Sequence, residues 1–502
     1  MSNFAFLDHP EWAFLFESAS KAEGLANNDA RASCFYARRT LELAVAWLYK
    51  YDKALRLPYQ DNLSALIHEP TFRQTVGDAL FTKARLIKEL GNIAVHSSKK
   101  MSATDAVNAT RELFHFCYWL ARTYGRTSRP DPSLRFDISN LPVASGLPQK
   151  TLEQLQKLEH DLQAKDENLS TALSEKALLS EELAKLRDEL VAVKKASEAQ
   201  PDTHDYSEAE TRRAFIDVLL KEAGWNLDPN KNFEVPVTGM PNAEKIGYVD
   251  YVLWGDDGKP LALIEAKRTT KSPSIGQQQA KLYADCLEAQ YGQRPVIFYS
   301  NGYEHWVWDD KAYPTRKIQG FYKKPELALA IQRRASRKKL SEATIDGSIV
   351  ERYYQTRAIR RVGETFEKDN LRKSLLVMAT GSGKTRTVIA LADVLMRCNW
   401  VKRILFLADR VALVNQAANA FKMHLPDSAP VNLVMDKFTE GRVFVSTYPT
   451  MMGLIDDAPD GQRRFGVGHF DLIIIDEAHR SVYQKYRAIF DYFDSFLIGL
   501  TA

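Results

Sequence analysis

Three sets of residues have the types and spacing to do chemistry. The first is Leu375–Thr387, LLVMATGSGKTRT, where a short apolar run ends in a glycine-rich turn and Lys384-Thr385 open a helix expected over Thr387–Arg397. Glycine permits positive φ and close approach, so the N–H groups of Gly381, Ser382 and Gly383 can face a triphosphate such as ATP. Lys384 puts a point charge on the β/γ-phosphates, and Thr385 offers Mg²⁺ a hydroxyl. Met378 stands where G-x-x-x-x-G-K-T has its first glycine. The second set is Asp250, Glu265 and Lys267, spaced D-x₁₄-E-x-K. Two carboxylates and an ammonium suit phosphodiester hydrolysis: Asp250 and Glu265 hold Mg²⁺, the Ala266 carbonyl is a third ligand, and Lys267 orients the nucleophile or stabilises the oxyanion. That spacing alone is weak, and a structural salt-bridge cluster is its bland alternative. Two features strengthen it. The E-x-K ends a strongly apolar run, where charge is expensive, and Gln279 and Tyr283 follow at i, i+4 on one face of a helix. The third set is Asp476-Glu477-Ala478-His479, closing the apolar run Phe470–Ile475. There Asp476 can hold Mg²⁺ through water, Glu477 can polarise the attacking water, and His479 would couple the nucleotide to the rest of a motor.

These residues need elements to position them. Gly247–Trp254 and Pro260–Lys267 are β-rich and flank Asp256-Asp257-Gly258, which predicts a hairpin. Asp250 then lies mid-strand, and Glu265 and Lys267 share a face of the second strand. Glu208–Gly224 reads as an amphipathic helix. Its Glu210 either reaches the metal or sits on a solvated face, the blander choice. Pro295–Ser300 reads as a further strand, turning at Asn301-Gly302 into Glu304–Trp308. Ser374–Met378, Arg403–Ala408, Arg442–Thr447, Phe470–Ile475 and Phe496–Leu500 are apolar enough for burial on both faces. Alternating with helices, they predict a doubly wound, RecA-like parallel sheet whose strand ends face the ligand.

The remaining chain gives context. Residues 1–125 read as helical, with Leu41, Val45 and Leu48 on one side of Phe35–Tyr51 and a second amphipathic stretch at Thr110–Tyr124. Residues 126–149 hold prolines and no helical period, hence a linker. Over 150–200, Leu155, Leu158, Leu162, Leu169, Leu179, Leu183, Leu186, Leu190 and Val193 keep one a/d register, broken by Lys165 and Lys176 and weakened by Ala172. That predicts a coiled coil, against the alternative of a helix lying on the protein's own surface. Residues 321–350 connect, and their run Arg333–Lys339, RRASRKK, is expected on an exposed helix rather than on DNA. The formal charge is +4, so any nucleic-acid surface is local. The four cysteines have no C-x-x-C spacing and read as buried thiols in a reducing compartment. No apolar run reaches membrane-spanning length and no signal peptide opens the chain, so a cytoplasmic protein with no membrane contact is expected.

Asp250, Glu265, Lys267, Gln279 and Tyr283 together resemble the PD-(D/E)xK nuclease domain of type I restriction R subunits, with the Q-x-x-x-Y element shared with RecB-like nucleases. Val249 stands where that pattern has proline. MATGSGKTRT, ADRVALVNQ at Ala408–Gln416, VSTYPTM at Val445–Met451 and DEAHRS resemble the motifs of the same subunit's motor. Gln355 falls where superfamily 2 helicases place an adenine-reading glutamine, and Arg410 and Thr447 where they track a DNA strand. Pro449 departs from the usual residue there. The Gly91-Asn92-x-Ala94-Val95-His96 turn resembles that of HEPN-like helical domains. Arg85 and His96 are too far apart for the HEPN ribonuclease pair, so Asn92 and His96 are expected to fix a helix–turn–helix packing. The resemblance implies a multidomain fold: a HEPN-like helical domain (1–125), a coiled coil (150–200), an α/β nuclease (205–320) and the first of two RecA-like helicase domains (351–502). It implies an endonuclease that uses Mg²⁺ and ATP-driven translocation to cut foreign double-stranded DNA. The implied partners are the methyltransferase and specificity subunits, the coil being a contact candidate. Gly499-Leu500-Thr501-Ala502 resembles the start of a T-A-[TS] motif. The expectation is an N-terminal portion of a longer polypeptide that binds ATP weakly, hardly hydrolyses it and does not translocate. The alternatives are an antiviral helicase–nuclease without modification subunits and a non-catalytic scaffold.

Overall fold

The computed structural model describes all residues except 1, 59–61, 99, 144–149, 175–178, 199–208, 267–272, 302–303, 437–438, 456, 458–461 and 479–485. It describes the backbone alone over 165–174, 179–185, 198, 209–214, 229 and 273–275. Lys267, Gly302 and His479, the side chain of Glu210, and the coil positions between 165 and 185 therefore lie outside the described residues. The chain divides into two compact units, Met1–Glu222 and Ala223–Asp457 with Arg463–Ala502.

The first unit is helical: α1 (Ala13–Leu25), α2 (Ala30–Tyr51), α3 (Leu63–His68), α4 (Pro70–His96), α5 (Ala103–Tyr124), α6 (Leu152–Ser174), α7 (Leu179–Glu198) and α8 (Ala209–Glu222). Asp29 caps α2 by accepting the Ala32 N–H, and Ser102 with Asp105 forms a capping box on α5; both satisfy orphan N–H groups. The expected turn at Gly91 is instead continuous helix. The break in α4 is at Gly77, whose φ of 78° favours glycine. Gly91 answers a different need: a Cβ there would meet the Cβ of Arg38 on α2 at 2.3 Å. Residues 126–143 hug this unit, Asn3 exchanging hydrogen bonds with the backbone of Asp137. The expected coiled coil is two helices whose described ends lie on their own unit. Leu155 (0% exposed) and Leu190 (2%) are buried there. Arg38 pairs with Glu159, and Lys194 with Asp52. α8, expected with the nuclease strands, packs on α4 and α5, with the Arg85 guanidinium 5.2 Å over the ring of Phe215.

The second unit opens with the short helix α9 (Pro229–Asn232) and carries two sheets. The first runs β1 (Phe233–Thr238), β2 (Ile246–Trp254), β3 (Pro260–Ala266), β4 (Val296–Ser300), β5 (His305–Trp308) and β6 (Arg316–Ile318), in that spatial order. Every pair is antiparallel except β3 with β4, which α10 (Pro273–Tyr291) joins by a crossover. The second sheet is all parallel: β7 (Lys373–Val377), β8 (Ile404–Ala408), β9 (Pro430–Asn432), β10 (Val443–Thr447), β11 (Leu472–Ile475) and β12 (Phe496–Thr501), ordered β7-β12-β11-β8-β10-β9. Five of these are the expected strands; β9, three residues long, had too little apolar pattern to announce itself. Apolar clusters cover both faces, as the unbroken burial of β8, β10, β11 and β12 requires.

The connecting helix α11 (Lys324–Ser336) corrects the reading of the charge run. Arg333 is 7% exposed and grips Asp471 with both terminal nitrogens. Arg334 takes Asp309, and Arg337 donates to the Tyr313 hydroxyl. These cations clamp the two sheets rather than face solvent. Glu326, also buried, accepts the Lys323 and Gly468 N–H groups. Gly466 leaves room for it, since a Cβ there would lie 2.4 Å from the carboxylate.

Candidate functional site

The hairpin β2–β3 pairs Tyr251 with Ile264. One step further along that register Asp250 stands opposite Glu265, on the same side of the sheet. The Asp250 carboxylate accepts the Ala266 N–H at 2.7 Å, which fixes it beside the end of β3. Glu265 is 4% exposed although β3 is otherwise apolar. Helix α10 lies on β3 and β4 and brings in Tyr283, whose hydroxyl accepts from Gln279 Nε2 at 2.7 Å. Burial raises the Tyr283 hydroxyl above its ordinary pKa, and the charges of Glu265 and Asp250 push it the same way, which places all three groups within electrostatic reach. Gly247 gives the ring its seat, because a Cβ would sit 2.6 Å from Tyr283. Among the described residues no group of three His, Cys, Asp or Glu side chains converges for a metal. Asp250 and Glu265, opposite each other across β2 and β3, offer carboxylate oxygens of the kind Mg²⁺ takes.

The second site lies at the C-terminal ends of the parallel strands. Gly381 (φ 77°) and Gly383 (φ 88°) adopt the left-handed backbone that the loop between β7 and α13 (Lys384–Arg397) demands. Met378 donates its N–H to Thr501, continuing the β7–β12 ladder. It needs no positive φ, so a side chain is tolerated where the motif has glycine. Thr385 stands half-buried at the first turn, next to Lys384. Asp476, Glu477 and Ala478 follow β11 as a turn pinned on three sides. The Asp476 N–H reaches Leu407, the Ala478 N–H reaches Leu500, and the Tyr448 hydroxyl donates to the Asp476 carbonyl. Glu477 is held at φ 54°, a strained backbone of the kind that collects at functional sites. Its carboxylate lies 3.7 Å from Lys384 Nζ.

Gln355, on α12 (Tyr353–Glu367), lies against the loop, with its Nε2 3.4 Å from the Ser382 carbonyl. Its neighbour Tyr354 donates to the same carbonyl at 2.9 Å. Tyr354 went unnoticed in the sequence; an aromatic beside a candidate base-reading glutamine was the available signal. Arg410 is exposed at the start of α14 (Val411–His424). Thr447 is not free for DNA in the same way. It is buried, its hydroxyl bonded to Thr450 at 2.9 Å at the start of α15 (Tyr448–Ile455).

Three family models match. The type I restriction enzyme R protein N terminus matches 234–316, spanning Asp250 through Tyr283. The type III restriction enzyme res subunit matches 348–502, spanning Gln355 through Glu477. A domain of unknown function, DUF4145, matches 20–157. The endonuclease subunit of the type I restriction enzyme EcoKI from Escherichia coli K12 is 27% identical over 387 residues, covering 60% of this chain and 33% of that one. That of EcoAI, from Escherichia coli, is 31% identical over 344 residues, covering 61% and 40%. The chain thus spans between a third and two fifths of the length of these curated relatives. A fragment structure assigned to an HsdR subunit of a type I enzyme from Vibrio vulnificus YJ016 shares 26% identity over 59% of this chain and 55% of its own. Its TM-score of 0.24 carries no argument about the fold. With both chemical sites inside restriction-subunit models, and type I endonuclease subunits among its relatives, the chain is a type I R-subunit-like protein.

Proposed function

We propose that this chain is the nuclease and first motor portion of an ATP-driven type I restriction endonuclease that cuts double-stranded DNA. The observation that carries the reading is Asp250 opposite Glu265 on adjacent strands, with Tyr283 beside both. Asp250, Glu265 and the Ala266 carbonyl would hold Mg²⁺, which supplies an acidified water and charge neutralisation at the scissile phosphate. Tyr283 and Gln279 support the carboxylates, and Lys267 is assigned to the developing oxyanion. Gly381, Ser382, Gly383 and Lys384 would cradle the phosphates of ATP. Thr385 and Asp476 would hold its Mg²⁺, Glu477 would polarise the attacking water, and Gln355 would read the base. The domain plan follows: a helical module, a pair of helices in place of a free coil, the nuclease, and a RecA-like helicase domain. Methyltransferase and specificity subunits are the partners this reading implies, and the cytoplasm is its compartment. Among the described residues no helix is long and apolar enough to cross a membrane.

The test is nicking of supercoiled plasmid with Mg²⁺ and without ATP, by the chain, Asp250→Ala and Lys384→Ala. Nicking lost only in Asp250→Ala supports the assignment; equal nicking by Asp250→Ala sinks it.

A further inference from the structure

Within the second unit, a cavity of about 510 Å³ lies where β6, α11 and the entry to β7 meet. Seven Lys or Arg side chains line it against five Asp or Glu, so cations outnumber carboxyl groups by two. Most of the cations are answered inside the protein: Arg316 and Arg372 by Asp494, Arg333 by Asp471, Arg334 by Asp309. Arg337 is different. It donates to the Tyr313 hydroxyl and lies 5.0 Å over the Tyr313 ring and 4.7 Å over Trp400. No carboxylate among the described residues pairs with it. Three buried guanidinium N–H groups around the cavity have no acceptor among the described residues, Arg337 Nε, Arg333 Nε and Arg316 Nη1, and a fourth, Arg334 Nη2, has only its ion pair with Asp309. Leaving a buried donor of a charged group unmade is costly, so the site is built for an acceptor-rich guest.

We propose that this cavity binds a phosphorylated small molecule of nucleotide size, at a site separate from the Gly381–Thr385 loop, none of whose residues line it. The volume is in the range of ligand pockets, roughly 300–1,000 Å³. Guanidinium forks match phosphate oxygens in geometry and charge, and planar aromatics beside them suit a base. The guest sits between the nuclease-bearing sheet and the strand that leads to the phosphate loop, where its presence stiffens the joint between them.

The Lys384→Ala chain, which lacks the loop's cation, is titrated calorimetrically with inorganic triphosphate and, separately, with ADP. The expected result is one saturable site per chain. Arg337→Gln added to that background weakens it at least tenfold with the thermal midpoint unchanged. Tighter binding of ADP than of triphosphate identifies a nucleotide guest; the reverse identifies a free polyphosphate. If Arg337→Gln lowers the midpoint, Lys368→Gln at the exposed rim takes its place and should weaken binding about threefold. Absence of saturable heat with both probes means the cavity holds only water and overturns the proposal. Binding indifferent to the substitution overturns it as well.

Discussion

Arg316, on the edge strand β6 of the first sheet, and Asp494, two residues ahead of β12 in the second, form a two-pronged ion pair, Nε to Oδ1 at 2.6 Å and Nη2 to Oδ2 at 2.5 Å. Arg372, leading into β7, takes the same carboxylate at 3.1 Å, and the Tyr322 hydroxyl donates to it too. One buried carboxylate therefore ties the edge of the first sheet to the strand that leads into the Gly381–Thr385 loop. Burial opposes the charge of Asp494, but Arg316 and Arg372 outweigh it and hold the carboxyl below the usual range.

Asp494→Ala leaves two guanidinium groups without their partner. Breaking a buried pair in this way costs about 3–5 kcal/mol, so the urea midpoint of the transition should fall by that equivalent. Because the folded pKa is depressed, the contribution of Asp494 is present above the ordinary carboxylate range and lost as pH falls through the folded value. Acid should narrow the gap between wild type and Asp494→Ala.

Glu326 has the opposite sign. Burial pushes its carboxyl up to about 7, although the Lys323 and Gly468 N–H groups and the Lys323 charge pull it down. The folded state then holds a proton that the unfolded state releases from about pH 4.3. Stability from this group is full below that value and declines as pH rises through 7, by roughly 4 kcal/mol in all at 1.36 kcal/mol per unit. Glu326→Gln should flatten that decline. Urea midpoints measured from pH 5 to 8 check it, and an equally steep decline in Glu326→Gln refutes the assignment.

Lys384→Ala should remove the stabilisation by ATP that the Gly381–Thr385 loop provides. A ligand at about 100 times its Kd stabilises the folded state by about 2.7 kcal/mol, visible as a rise in thermal midpoint for the wild type. Lys384→Ala, with its Lys384–Glu477 contact gone, should show a smaller rise at the same ATP concentration, and Lys384→Ala combined with Arg337→Gln should show none.

Tyr283→Phe keeps the ring in its Gly247 seat and removes the hydroxyl that Gln279 holds. Loss of a supporting partner around a metal site typically lowers activity or metal affinity about 10–100-fold. Plasmid nicking should fall by that range while the thermal midpoint moves little. An unchanged nicking rate would reduce Tyr283 to a packing residue.

Much of this was legible in the sequence because local pattern and chemistry coincide. GSGKT after an apolar strand and Asp476-Glu477 after Phe470–Ile475 announce both their elements and their placement. The D-G turn at Asp257-Gly258 announced the hairpin that carries Asp250 and Glu265. What stayed hidden depends on contacts between distant segments. Arg333, Arg334 and Arg337 read as a solvated run, because their partners Asp471, Asp309 and Tyr313 are from 24 to 138 residues away. Gly91 looked like a turn because the crowding that demands it comes from Arg38 on another helix. Leu155 and Leu190 kept a coiled-coil register whatever surface they covered, since heptads specify a seam and not its partner.

Whether Asp250 and Glu265 form one metal site is decided by metal binding, which requires neither DNA nor partner subunits. Mg²⁺ is titrated calorimetrically into the nucleotide-free chain, Asp250→Ala, Glu265→Ala and Lys384→Ala. One site is expected, which both carboxylate substitutions abolish and Lys384→Ala leaves intact. Mg²⁺ binding that persists unchanged in Asp250→Ala would contradict it.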